Sequence, residues 1–281
     1  MEKIALITDS TTGILQPDID QYGIHVIRLK VIYKEREYID GIEITPEEVY
    51  ARLDEELPTT SMPSVQEVMN LYQKLIDEGY THAIVMPISS GLSGTINSFI
   101  IASESYKSQL EFFIFDTKII SMGVGLSVLK VAKMIKEGKS FDYICNQIPI
   151  LREKTKLFFT VDTLEYLIKG GRIGKISGGI GELLNLKPIV MMNDEGKYTT
   201  FTKVRGSKQA LNTLIKLALD ILDKAKGTAV VMTGTMLKEA EELKNAIIKH
   251  PNITFTHIGI ITPVVGIHSG PKLLGFAIIE D

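Results

Sequence analysis

The chain has no tryptophan and one cysteine, Cys145. A lone cysteine excludes an intrachain disulfide framework and a cysteine-based zinc site. Its surroundings, Asp142-Tyr-Ile-Cys145-Asn-Gln-Ile, read as a helix face and predict a packed, inert thiol. Neither charge dominates: 31 Lys and Arg stand against 34 Asp and Glu, a net charge of −3. Phosphate backbones need clustered Lys and Arg, so nucleic acid is not an expected partner. No uninterrupted apolar run approaches the roughly 18 residues of a membrane span. The opening residues, MEKIALITDS, lack the basic start and long apolar core of a signal peptide. The expected location is the cytoplasm, with at most transient peripheral contact with a membrane.

Nucleotide and metal signatures are missing too. Gly170-Gly-Arg-Ile-Gly-Lys-Ile-Ser looks like a phosphate loop but fails its spacing, because Lys169 stands where the first glycine belongs and Ile176 follows Lys175. Gly179 and Gly181 would need a small residue at 184 to make a dinucleotide fingerprint, and that position is Leu184. His25, His82, His250, His257 and His268 are scattered, with no pair at metal-binding helical spacing. No metal and no nucleotide cofactor is therefore expected.

Hydrophobic residues at 44% and charged residues at 23% are those of an ordinary globular protein, and 281 residues can bury a sizeable core. Strand-like and helix-like segments alternate through the first half. Strands are expected at Lys3–Thr8, Ile24–Val31, 83–88 and Phe112–Phe115. Helices are expected at Pro46–Glu56, Val65–Glu78, 96–106, 121–137 and 141–153. The helix at 65 opens with the capping box Ser64-Val-Gln-Glu67. Such alternation predicts a parallel sheet covered on both faces.

The second half reads as α+β. Leu157–Val161 is an expected strand, Leu164–Ile168 a short helix, and 170–181 a basic glycine-rich stretch. Ile189–Met192 and Tyr198–Val204 flank the hairpin turn Asn193-Asp-Glu-Gly196. In the helix Ser207–Lys224, Leu211, Leu214, Ile215, Ala218 and Leu222 recur at helical spacing. Strand 228–233, helix 236–249 and strands 253–258 and 273–279 complete the pattern. The expected architecture is α/β with two domains: an N-terminal parallel-sheet (Rossmann-like) domain over 1–155, and a C-terminal α+β domain with a mixed sheet over 156–281.

The most suggestive local feature is the cluster Ser89-Ser90-Gly-Leu-Ser93-Gly94-Thr95, between a buried strand and a helix start. Unpaired N–H groups at a helix start attract anions, and glycines let a ligand reach the backbone. One cap needs one hydroxyl, and four are present within seven positions. Similar polar clusters, Asp9-Ser-Thr-Thr12, Asp116-Thr117 and Thr59-Thr60-Ser61-Met62-Pro63-Ser64, follow other strands or precede a helix. Asp9 and Asp116 are candidate ligands or catalytic acids, although capping is the commoner role of such aspartates. His268, in the polar turn Gly266-Ile-His-Ser-Gly-Pro271, is placed to hydrogen-bond a ligand. Arg172 among glycines and Arg205 at a strand-to-helix junction suit bidentate pairing with a carboxylate or phosphate.

Two chemistries use these residues. In a hydrolase, Ser93 would be the nucleophile, His268 the base and an aspartate the orienter. A nucleophile elbow wants glycine where Thr95 stands. In a carrier, the same groups donate hydrogen bonds to a bound carboxylate, and no proton transfer is required.

Taken together, ITDSTTGI near the start, Tyr38-Ile-Asp40-Gly41, TTSMPS at 59–64, ISSGLSGT at 88–95 and FDTKIISMGVGL at 115–126 resemble the DegV family. LEYLIKGGRIGK at 164–175, LNLKPI at 184–189, KVRGSKQAL at 203–211 and GIHSGPKLLG at 266–275 extend the resemblance over nearly the whole chain. It implies a protein without turnover of its own that holds one long-chain fatty acid between two domains. The carboxylate would meet Thr60, Ser61, Ser93, Gly94, Thr95 and His268, with Arg172 near the head group. A separate fatty acid kinase would then phosphorylate the acid, with Arg205 serving the phosphorylated head group or the docking of the kinase. A transport or sensor protein with no kinase partner is a further reading. Met62 departs from the glutamine that many members carry there.

Overall fold

The structure, a computed structural model, describes residues 2–176 and 186–281. The end of the glycine-rich stretch, with Gly179 and Gly181, and the start of LNLKPI lie outside the described residues. The chain runs β1 (Ile4–Asp9), a 3-10 turn at Ser10–Thr12, α1 (Gln16–Tyr22), β2 (His25–Ile27), β3 (Lys30–Ile32), β4 (Glu37–Ile39), α2 (Pro46–Arg52), β5 (Thr59–Ser61), α3 (Val65–Asp77), β6 (His82–Val85), α4 (Thr95–Ser103) and β7 (Glu111–Ile114). It continues with α5 (Met122–Lys136), α6 (Phe141–Lys154), β8 (Thr155–Val161), α7 (Glu165–Lys169), β9 (Leu186–Met192), β10 (Tyr198–Arg205) and α8 (Gly206–Leu222). Last come β11 (Gly227–Thr233), α9 (Leu237–Ile247), β12 (Ile253–Ile260), α10 (Pro263–Ser269) and β13 (Leu273–Glu280).

The first sheet is parallel, in the order β2-β1-β6-β7. The second is mixed, in the order β10-β9-β8-β13-β11-β12, with only β11 and β12 parallel. Period-2 alternation sorts the side chains of each strand between two cores. On β1, Ala5 and Ile7 face α3 and α4, where Tyr72, Leu75 and Phe99 are fully buried. Leu6, on the opposite face, packs with α5 and α6. On the second sheet, Phe276 and Ile278 pack under α8 and α9, while Ala277 and Ile279 join the core that holds Leu6. One layer, α5 with α6, is thus shared by both sheets.

The capping box at α3 forms as its sequence predicts, and a second one, from Thr45 and Glu48, opens α2. Three expectations need correction. Ile24–Val31 is not one strand: β2 pairs in the parallel sheet, whereas β3 leaves it for a separate three-stranded antiparallel sheet, order β4-β3-β5. The polar segment 59–64 is not simply a turn, because Thr59–Ser61 is the strand β5. His268 lies not in a turn but in the last turn of α10, a helix opened by Pro263. Each miss involves a short element whose hydrogen bonds and burial come from distant residues, which local periodicity does not report.

Candidate functional site

Four segments distant in sequence meet around His268. The small sheet packs on α10 through an apolar cluster of Leu29, Val31, Ile44, Val49, Val264 and Ile267. That docking brings Thr60 of β5 to α10, where its Oγ1 shares a 2.9 Å hydrogen bond with His268 Nε2. Asp40, just after β4, accepts from the N–H of Val264 at 3.0 Å and so pins the start of α10. Gly170, after α7, lies so close that a Cβ there would fall 2.2 Å from His268 Nδ1. Glycine is therefore needed at 170 for close approach and not for backbone shape.

The cluster after β6 contributes the third face. Its four hydroxyls divide by role. Ser89 Oγ donates to the Gly196 carbonyl of the β9–β10 turn at 2.7 Å, and Ser90 donates to Asp116 through both N–H and Oγ. Ser93 Oγ and Thr95 Oγ1 share a 2.8 Å bond, and Ser93 Oγ also accepts from the N–H of Thr95, the first residue of α4, at 3.3 Å. Gly94 faces Met62: a Cβ at 94 would stand 3.0 Å from Met62 Sδ, so the TTSMPS and SGLSGT turns lie against each other. Arg172 supplies the fourth face. Its Nε donates to the Leu92 carbonyl at 3.2 Å and its Nη1 to that of Gly170 at 2.6 Å. Ser61 is half-buried beside Thr60 on β5, while Arg205 is exposed at the β10–α8 junction, outside these contacts.

A cavity of about 30 Å³ lies inside this ring, lined by Ile88, Leu92, Ile120, Val264 and Val265 with Arg172 and His268. That is close to one water molecule's share of liquid volume. Thr11 and Tyr198 complete the wall. Sequence reasoning did not single out Tyr198. Its only signal was its position beside the hairpin turn.

Electrostatics separate the two candidate chemistries. Burial, followed by the nearby Arg172 cation, depresses His268 to about 4, so the imidazole is neutral at pH 7. His268 Nδ1 is buried without a partner among the described residues, so no carboxylate orients the ring. Ser93 is bonded to Thr95 and not to His268. Asp9 and Asp116 are occupied as caps: Asp9 accepts from Thr11 and from the N–H of Ile88, and Asp116 from Ser90 and Lys118. The groups of a serine relay are present, but they are not joined into one. Cys145 sits half-buried on α6, its thiol pushed up to about 12 chiefly by burial.

The sequence matches, over residues 3–281, the family model described as "Uncharacterised protein, DegV family". The chain belongs to the DegV family. A DegV domain-containing protein of Clostridium acetobutylicum is 48% identical over the full length of both chains. Among solved structures, a fatty-acid-binding DegV family protein from Thermus thermophilus superposes with a TM-score of 0.93 at 29% identity, covering 99% of this chain and 100% of that one. DegV of Bacillus subtilis, described as a fatty acid binding protein, has a TM-score of 0.91 at 30% identity over the whole of both chains. This DegV member therefore shares the two-sheet α/β fold of proteins that bind fatty acids. No helix among the described residues is long and apolar enough to cross a membrane.

Proposed function

We propose that this DegV protein binds a long-chain fatty acid, with the carboxylate at the His268 ring and the acyl tail among buried apolar residues. The observation that carries the proposal is the make-up of that ring. Thr60 with His268, and Ser93 with Thr95, are neutral hydrogen-bonding pairs, and His268 shares an apolar-floored cavity with one half-buried arginine. A buried carboxylate without partners is heavily penalised, so several donors and a cation are what its head group requires. In this proposal Ser61 and the backbone at Gly94 add further donors to the head group. The fatty acid binding described for the Thermus and Bacillus proteins supports the reading.

The tail supplies the affinity. Each buried CH₂ contributes about 0.8 kcal/mol before ordering costs, so a long chain outweighs the head group, whose donors fix orientation. A cavity of about 30 Å³ cannot take such a chain, and entry requires neighbouring side chains to move apart. In this proposal the protein is a cytoplasmic carrier without catalysis of its own. It presents the acid to a fatty acid kinase, and Arg205, exposed away from the ring, serves the phosphorylated head group or kinase docking. The lack of a nucleotide motif fits that division of labour.

The test is mass spectrometry of an organic extract of the protein purified from cells. A stoichiometric long-chain acid is expected. Recovery of none, with no uptake of added acid, would overturn the reading.

A further inference from the structure

A second apolar cavity, of about 500 Å³, opens between α1, α5 and the β11–β12–β13 edge of the mixed sheet. Leu15, Leu126, Val230, Phe255 and Ile258 line it, and Leu15 and Phe255 remain 50% and 58% exposed. Large exposed apolar side chains around a groove mark a binding surface. Three chain segments run from the wall of the His268 cavity to the wall of this groove: Thr11 to Leu15, Ile120 to Leu126, and, in reverse, Val264 to Ile258.

Each segment carries a glycine that faces the same side chain. A Cβ on Gly13 would lie 3.8 Å from Met122 Cγ and Sδ, one on Gly125 2.9 Å from Met122 Sδ, and one on Gly259 4.0 Å from Met122 Cγ. Met122, only 3% exposed, therefore lies against a glycine of each segment, with Ile14 beside it at Gly125. Leu126, one helical turn further along α5, faces the same way into the groove. Methionine has three rotatable bonds and a polarizable sulfur, so it can fill a gap and still yield it to a ligand.

We propose that the groove receives the distal end of the acyl chain and that Met122 is the side chain that sets the chain length accepted. This inference rests on the fatty-acid reading above. Short chains end against Met122. Longer ones displace it and lay their last carbons along Leu126, Val230 and Phe255.

The experiment measures equilibrium binding of palmitic, stearic and eicosanoic acids to wild type, Met122→Ala and Phe255→Ser, with size-exclusion chromatography of each. One further buried CH₂ is worth about fourfold in affinity. Met122→Ala is expected to raise the eicosanoic-to-palmitic affinity ratio roughly tenfold or more. Phe255→Ser, at an exposed position that tolerates change, is expected to lower that ratio severalfold with palmitate binding retained. Identical ratios in all three proteins would overturn the chain-length role while leaving the fatty-acid reading intact. A changed oligomeric state in Phe255→Ser with an unchanged ratio would overturn it too, making the groove an interface between copies. Wild-type protein that binds none of the acids would overturn both readings.

Discussion

The His268 ring and the groove beyond Met122 lie in one molecule but are built in opposite ways. At the ring, hydrogen bonds from Thr60 and Arg172, and one that Asp40 accepts, hold side chains and backbone in place, and glycine at 170 lets His268 fit. At the groove, most lining residues are apolar, two of them are half-exposed, and a flexible methionine lies against each segment that runs back toward the ring. The difference follows from what each end would hold. A carboxylate is directional and cannot be buried unpaired, so its donors need fixed geometry. A hydrocarbon tail is held without direction, in proportion to area, so adaptable packing suffices.

The largest effect expected at the ordered end concerns Asp40. Burial pushes its carboxyl up to about 6 against the pull of Ser10, the Val264 N–H and Arg28. The folded protein therefore holds a proton that the unfolded chain has lost from about pH 4 upward, and stability falls as pH rises from 4 through 6. A shift of this size corresponds to about 3 kcal/mol. Urea unfolding of wild type and Asp40→Asn across that window should show the slope diminished in the variant. Parallel curves would mean that Asp40 does not control the start of α10 in this way.

Gly170→Ala comes next. The added methyl group would collide with His268 Nδ1 and stands 3.0 Å from the Tyr166 carbonyl, so about 2 kcal/mol of stability should be lost. Acid binding should weaken at every chain length alike, which sets this end apart from Met122. Ser93→Ala should weaken binding about tenfold, the worth of one hydrogen bond to a charged group, with stability within about 0.5 kcal/mol of wild type. Lost ester hydrolysis with unchanged affinity would instead revive the nucleophile. The smallest effect on binding belongs to Arg205→Ala: affinity for the acid should not change, while phosphorylation by a fatty acid kinase should slow. Equal phosphorylation rates would remove Arg205 from that role.

The elements best read from sequence were the long ones. α3, α6 and α8 each bury one stripe, and that periodicity, like the serine caps of α3 and α6, is a local property of the chain. The hairpin of β9 and β10 around Asn193-Asp-Glu-Gly196 was legible for the same reason. The small sheet was not. β3, β4 and β5 are three residues each, and their apolar partners include Val264 and Ile267, more than two hundred residues away in sequence. The residue types of the site were visible as hydroxyl-rich clusters, yet nothing local distinguished Ser89 and Ser90, which tie loops together, from Ser93 and Thr95.

By itself, then, the sequence determined the alternation of strands and helices, the family, and the supply of hydroxyls, glycines and arginines near strand ends. Those follow from pattern and composition, which every residue carries wherever it ends up. Only the tertiary structure decided that Thr60 would reach His268, that burial beside Arg172 would keep that imidazole neutral, and that Met122 would meet Gly13, Gly125 and Gly259 at once. Such properties depend on distance and on exclusion of water, and both are set when remote segments pack.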